Sequence, residues 1–180
     1  ESCGQKWMDM SEGHYGVSLL NDCKYGHSAL DGVMTLTLIK SGIEPNPTAD
    51  QEEHTFTYAL YPHAEGWRRA NTVQEAMKLN QPLLSEEGGQ AGCQNSFVWV
   101  DKSNVIIETV KMAEDDDGII VRLYESENAK TKAHIFFGEK ISSVESCNCL
   151  EEIKQTIETD GEGFEITVKP YEIQTYRVRF

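Results

Sequence analysis

Apolar and polar residues alternate with a period of two along most of this chain, in runs of about five to eight residues bounded by turn residues, the pattern of half-buried strands. The runs fall at residues 6–10, 15–21, 33–40, 54–61, 96–100, 105–112, 119–125, 132–137, 142–147, 164–169 and 173–179. The alternation is clearest near the end, where Phe164, Ile166 and Val168 share one parity and Glu165, Thr167 and Lys169 the other. One face of that strand must turn inward. Val105, Ile106 and Ile107 are apolar at both parities, which predicts a central strand covered by a second sheet and by neighbouring protein. Asp31-Gly32, Asp117-Gly118 and Asp160-Gly161 stand where tight hairpin turns need a positive φ, which glycine adopts without a Cβ penalty. Residues 72–79 predict the one helix, with Thr72 as N-cap, Glu75 at the capping-box position and Val73, Ala76 and Met77 near helical spacing before Pro82. The pattern predicts an all-β fold, a mainly antiparallel β-sandwich with one short helix, in a single domain spanning residues 1–180.

Two stretches interrupt the rhythm: residues 41–51, which carry Pro45 and Pro47, and the glycine-rich residues 84–95, expected to be mobile. No repeat at a fixed period is evident.

A formal net charge of -14 over 180 residues, without a Lys/Arg cluster, repels phosphate backbones and argues against nucleic acid as a partner. No apolar run approaches the roughly 20 residues that span a bilayer and no basic amphipathic helix is present, so no membrane association is expected. Five scattered cysteines do not form a secreted disulfide framework, which points to a reducing, cytoplasmic setting. The chain opens on Glu1 with no basic region or apolar stretch, so no signal peptide is predicted and a fragment of something longer is expected.

Chemistry is sparse. The best local carboxylates are Asp9, Glu12 and Asp22, but an acid beside a turn usually caps an amide or is solvated, and no catalytic residue is expected. His14, His27, His54, His63 and His134 are isolated rather than set at ligand spacing, and Cys147-x-Cys149 lacks a second ligand pair, so no metal site is expected. No G-x-S-x-G elbow or phosphate-loop lysine pattern occurs, and Cys23 near His27 has no orienting group. The most distinctive local feature is Leu19-Leu20-Asn21-Asp22-Cys23-Lys24-Tyr25-Gly26, where a buried strand runs into a polar loop. Lys111 with Glu114 and Arg122 with Glu125 are expected to pair near the Asp117-Gly118 turn. Of Trp7, Trp67 and Trp99, Trp67 beside Arg68 and Arg69 is expected to be the most exposed.

The segment KWMDMSEGHYGVSLLNDCKY, residues 6–25, resembles the C-terminal region of glycoside hydrolase family 38 α-mannosidases, in the cytosolic, vacuolar and bacterial branch. Residues 57–63 (TYALYPH), 79–83 (LNQPL), 107–111 (IETVK), 121–125 (VRLYE) and 170–175 (PYEIQT) resemble the same region in order and spacing. The resemblance implies a β-sandwich packed on an N-terminal catalytic α/β barrel, which would carry the zinc site and the nucleophile. No cofactor is expected in this chain. It implies that Asn21, Asp22, Lys24 and Tyr25 form a cleft-facing or interdomain loop near mannose-containing glycans, with Trp67, Tyr61 and His63 as further contacts with carbohydrate or the interface. Asn and Asp can bond sugar hydroxyls, and Tyr offers an apolar face to a pyranose ring. An autonomous carbohydrate-binding module is the alternative expectation.

Overall fold

The computed structural model describes residues 1–85, 87–88 and 96–180. The chain forms two compact units, Glu1–Glu87 and Gly88–Phe180. Most of the glycine-rich stretch expected to be mobile, residues 84–95, lies outside the described residues.

In the first unit β1 (Ser2–Cys3), β4 (Gly26–Leu30) and β5 (Val33–Thr37) form one three-stranded sheet, and β2 (Trp7–Glu12), β3 (Tyr15–Asn21) and β6 (Tyr58–Ala64) form another. All pairings are antiparallel. The β4–β5 hairpin closes through Asp31-Gly32 with φ of 50° and 78°, the two-residue turn that Asp-Gly predicts. Strand β6 continues past Tyr61 through Pro62 to Ala64. A proline is tolerated there because β6 is an edge strand, where its nitrogen can face away from the ladder. Helix α1 (Thr72–Asn80) packs against the β2-β3-β6 sheet through Thr72, Val73 and Ala76. The expected cap is not formed: Asn71, in the left-handed region with φ 55°, precedes the helix without a side-chain cap. Thr72 is drawn inward instead, its Oγ1 2.8 Å from Ser18 Oγ, and Glu75 pairs with Lys78.

The second unit is the sandwich. One sheet has the order β13-β10-β7, from β13 (Gly163–Val168), β10 (Thr131–Phe137) and β7 (Val98–Val100). The other has the order β12-β11-β14-β9-β8, from β12 (Ile153–Ile157), β11 (Ser143–Cys147), β14 (Ile173–Arg179), β9 (Ile119–Glu125) and β8 (Val105–Met112). Between them Ile135, Phe164, Val168, Leu123, Val144, Tyr176 and Val178 build the core. As the alternation requires, Phe164, Ile166 and Val168 are buried while Glu165 and Thr167 are exposed.

Three expectations are corrected in this unit. Strand β8 is an edge, not a centre: Val105 is buried, but Ile106 and Ile107 are only half-buried. Asp160-Gly161 does not close a hairpin, because β12 and β13 lie in different sheets. Its turn carries the chain from one sheet to the other, with Asp160 Oδ1 accepting the N–H groups of Glu162 and Gly163. Lys111 does meet Glu114, and also Glu151 at 2.8 Å, but Arg122 and Glu125 do not pair. Three residues apart on one strand, they face opposite sides. Arg122 donates to Thr175 Oγ1 and the Cys149 carbonyl, while Glu125 is buried.

Candidate functional site

Strand β3 delivers the polar loop at a fixed place, but its first member is structural. Asn21 is fully buried. Its Oδ1 accepts the Lys24 N–H at 2.9 Å, its carbonyl accepts from Asn80 Nδ2 at 3.0 Å, and its Nδ2 lies 3.4 Å from His27 Nε2. Asn21 therefore shapes the loop rather than presenting a free amide. Asp22 Oδ2 accepts the Thr57 N–H at 2.9 Å, and its own N–H reaches the Thr57 carbonyl at 3.1 Å. The bond from Thr57 holds the Asp22 carboxyl below the usual carboxylate range. Asp22 in turn, first through a hydrogen bond, pushes the Cys23 thiol up, the reverse of what a thiolate nucleophile needs. Lys24 does not pair with Asp22. Its ammonium sits 5.0 Å from the Phe56 ring centroid, within cation–π range. Tyr25 is 46% exposed and is the loop's free aromatic.

On the sheet face under α1, Asp9, Ser18, His63 and Thr72 gather into a polar cluster. His63 Nε2 lies 2.7 Å from Asp9 Oδ2 and 3.2 Å from Ser18 Oγ, and Ser18 Oγ also donates to Asp9 Oδ2 at 2.8 Å. Ser11 Oγ bonds the other Asp9 oxygen. Gly16 makes the room: a Cβ there would lie 2.3 Å from His63 Cε1. The residue types suggest a Ser-His-Asp triad, but the geometry does not. Serine and aspartate both address Nε2, while Nδ1 faces the Glu65 carbonyl at 3.1 Å, whereas a relay places them on opposite nitrogens. Ser18 is also fully buried. The cluster ties three strands and a helix together.

His63 is consequently occupied and buried rather than free for a surface contact. Tyr61, half-buried, gives its hydroxyl to the Ala70 carbonyl at 2.9 Å. Trp67 is half-buried, packed on Trp7 at 5.1 Å and covered by the Arg68 guanidinium at 4.3 Å. The most exposed tryptophan is Trp99, at 42%. Trp67 still lines a shallow pocket with His14, Glu65, Arg68 and Arg69.

Sequence reasoning did not single out an apolar groove between the β4–β5 hairpin and β6. It is lined by Leu19, Val33, Leu36, Leu38, Tyr58 and Leu60. Val33 is 59%, Tyr58 57% and Leu60 67% exposed. The available signal was Val33-Met34-Thr35-Leu36, apolar at both parities in a strand too polar at its flanks to be central. The groove adjoins the polar loop: Lys24 caps Phe56, and Phe56 stacks on Tyr58 with centroids 6.5 Å apart.

Among the described residues no three His, Cys, Asp or Glu side chains gather to hold a metal ion. Cys3, Cys23, Cys147 and Cys149 are free, and burial pushes the Cys147 thiol up. No described helix is long and apolar enough to cross a membrane.

Residues 1–48 match the model of the glycosyl hydrolases family 38 C-terminal domain, and residues 104–176 that of the family 38 C-terminal beta sandwich domain. Alpha-mannosidase G of Dictyostelium discoideum is 35% identical over 98% of this chain and 17% of its own length. Human Alpha-mannosidase 2C1 is 35% identical over 84% of the chain and 15% of its own length. Yeast Alpha-mannosidase is 30% identical over the whole chain and 19% of its own length. This chain therefore spans less than a fifth of the curated relatives it matches. In fold it is similar to an alpha-mannosidase from Enterococcus faecalis, with a TM-score of 0.74 and 22% identity over 97% of this chain and 21% of that one.

Proposed function

The chain belongs to the C-terminal region of glycosyl hydrolase family 38, and from that premise we propose that it is a non-catalytic part of a longer α-mannosidase, packing on that enzyme's catalytic barrel. The observation that carries this reading is the apolar groove of Val33, Leu38, Tyr58 and Leu60, continuous with the polar loop through Phe56. An exposed apolar surface beside polar groups fits a domain interface. In this reading the barrel covers the groove, and Asp22, Lys24 and Tyr25 border the cleft where a mannose-containing glycan binds. Tyr25 offers its exposed ring to a sugar face. In this reading zinc and nucleophile are supplied by the barrel, as the family resemblance implies. The free thiols of Cys3, Cys23, Cys147 and Cys149 fit a reducing cytoplasm.

Assay of the isolated 180-residue chain on a chromogenic α-mannoside tests the reading, with no turnover expected. Chelator-resistant hydrolysis by the pure chain would overturn it. In the full-length enzyme, Tyr25→Ala should raise KM with little change in stability, and an unchanged KM would remove the loop from the cleft.

A further inference from the structure

Three Asp-Gly dipeptides occur in the chain, Asp31-Gly32, Asp117-Gly118 and Asp160-Gly161. At such a pair the backbone can attack its own side chain, because glycine has no Cβ to hinder the approach of its amide nitrogen to the preceding carboxyl. Attack needs a carboxyl free to turn toward that nitrogen and an amide not engaged elsewhere. The fold withholds one or both at two of the three pairs.

Asp117 is clamped by Arg179, whose Nε donates to Oδ1 at 2.9 Å and Nη2 to Oδ2 at 2.8 Å. The Gly118 carbonyl accepts the Ala113 N–H at 2.9 Å, which fixes the peptide that follows. Asp160 Oδ1 accepts the N–H groups of Glu162 and Gly163 at 2.9 and 2.7 Å. The Gly161 amide, the nucleophile there, donates to Thr159 Oγ1 at 3.0 Å. Asp31 has neither restraint. It is exposed at the tip of the β4–β5 hairpin, and among the described residues no donor holds its carboxylate. Leu30 and Val33 close that two-residue turn, which leaves the Gly32 N–H outside the ladder. The space beside Gly32 is open, with nothing within 4 Å of where a Cβ would stand.

We propose that Asp31-Gly32 is a site of backbone rearrangement to isoaspartate, selected by the fold from three pairs of the same sequence. The Gly32 nitrogen, losing its proton, bonds to Asp31 Cγ, and a carboxyl oxygen leaves as water, which closes a succinimide ring. Water then adds to one of the two imide carbonyls. Addition at Cγ restores aspartate. Addition at the former main-chain carbonyl breaks its bond to nitrogen, so the chain runs on through Cβ and Cγ and the α-carboxylate is set free. Nothing is oxidised or reduced. The product lengthens the turn by one methylene, which the Leu30–Val33 closure does not accommodate in register. Val33 also lines the apolar groove, so the change reaches that surface. A carboxyl methyltransferase that recognises isoaspartyl groups is the class of enzyme that takes such a product, and an exposed hairpin tip presents it.

Ageing of the 180-residue chain at neutral pH and physiological temperature, folded and in urea, is the test. Isoaspartate is assigned by peptide mapping and counted by enzymatic methyl transfer from S-adenosylmethionine. In urea the three pairs should react at comparable rates. In the folded chain Asp31 should lead each of the others by about tenfold or more, because reaction there waits on local opening. Asp31→Asn keeps the turn and reaches the same succinimide by releasing ammonia, so it should form isoaspartate faster than the parent chain. Asp31→Glu, whose longer side chain disfavours the ring, should form none at that position. Equal rates at the three pairs in the folded chain, or a lead at Asp117 or Asp160, would overturn the proposal. So would the same lead for Asp31 in urea, which would make it a property of the flanking sequence.

Discussion

The His134 ring occupies the space that a side chain on Gly163 would fill. A Cβ at Gly163 would lie 2.6 Å from His134 Nε2 and 2.1 Å from the Ile135 carbonyl oxygen. The histidine can move, but the carbonyl belongs to the β10–β13 ladder and cannot without breaking it. Gly163→Ala should therefore destabilise the second unit by about 3 kcal/mol or more, as backbone overlap in a packed sheet does. Chemical denaturation followed by Trp99 fluorescence measures this, and a loss under about 1 kcal/mol would mean the strand relaxes freely.

The Asp9–Ser18–His63 cluster should behave as a brace. Asp9→Ala leaves the Ser18 hydroxyl and His63 Nε2 facing each other without the carboxylate they share, at a cost of about 1–3 kcal/mol for buried groups left unsatisfied. His63→Ala should cost a similar amount and Ser18→Ala less. Urea denaturation of the three variants gives the ranking. In the full-length enzyme all three should keep kcat at temperatures where they stay folded; a selective loss of kcat would give the cluster a catalytic part.

Acid should weaken the second unit. Burial acts to raise the Glu125 pKa, but N–H groups of Tyr171 and Glu127 and the Asn104 amide bring it below its ordinary value of 4.5. Hydrogen bonds to Arg177 and Arg179 lower Asp115 and Asp117 likewise. A depressed carboxyl favours the fold above its unfolded pKa, and that stability is lost as pH falls through the folded pKa. Denaturation midpoints should hold steady near neutrality and fall below about pH 4. Glu125→Gln should be destabilised by about 2 kcal/mol near pH 7, and the gap to the parent chain should shrink in acid. A gap independent of pH would contradict the assignment.

Leu60→Lys should leave the fold intact, because Leu60 is 67% exposed and surface substitutions cost within about 0.5 kcal/mol. In the isolated chain it should reduce self-association, measured by sedimentation velocity. In the full-length enzyme the same change should lower the midpoint of thermal inactivation, because it sets a charge in a buried interface. An unaffected full-length enzyme would leave the groove facing solvent.

Four strands were legible to the residue: 15–21, 105–112, 119–125 and 173–179 coincide with β3, β8, β9 and β14. Seven more were found with shifted bounds, and three strands were not anticipated at all. Ser2–Cys3 is too short to show a period, and Gly26–Leu30 opens on glycine and buries a histidine. Ile153–Ile157 is an edge strand with Lys154, Gln155 and Thr156 exposed, so it has no apolar face to read. The site was less legible for a related reason. Asn21 and His63 look like surface chemistry in sequence, but their partners Asn80 and Asp9 stand 59 and 54 residues away. Only the fold reveals that these groups are already spoken for.

Pro62 has a consequence for how anything can approach the first unit. Strand β6 is the free border of its sheet and carries the proline near its middle. With that N–H missing, the border offers a broken row of donors, and an extended peptide could not zip along it as a fourth strand. Whatever docks beside Tyr58 and Leu60 must do so side chain to side chain. Such contacts lock orientation through shape, and they let two folded bodies meet without either one lending the other its backbone.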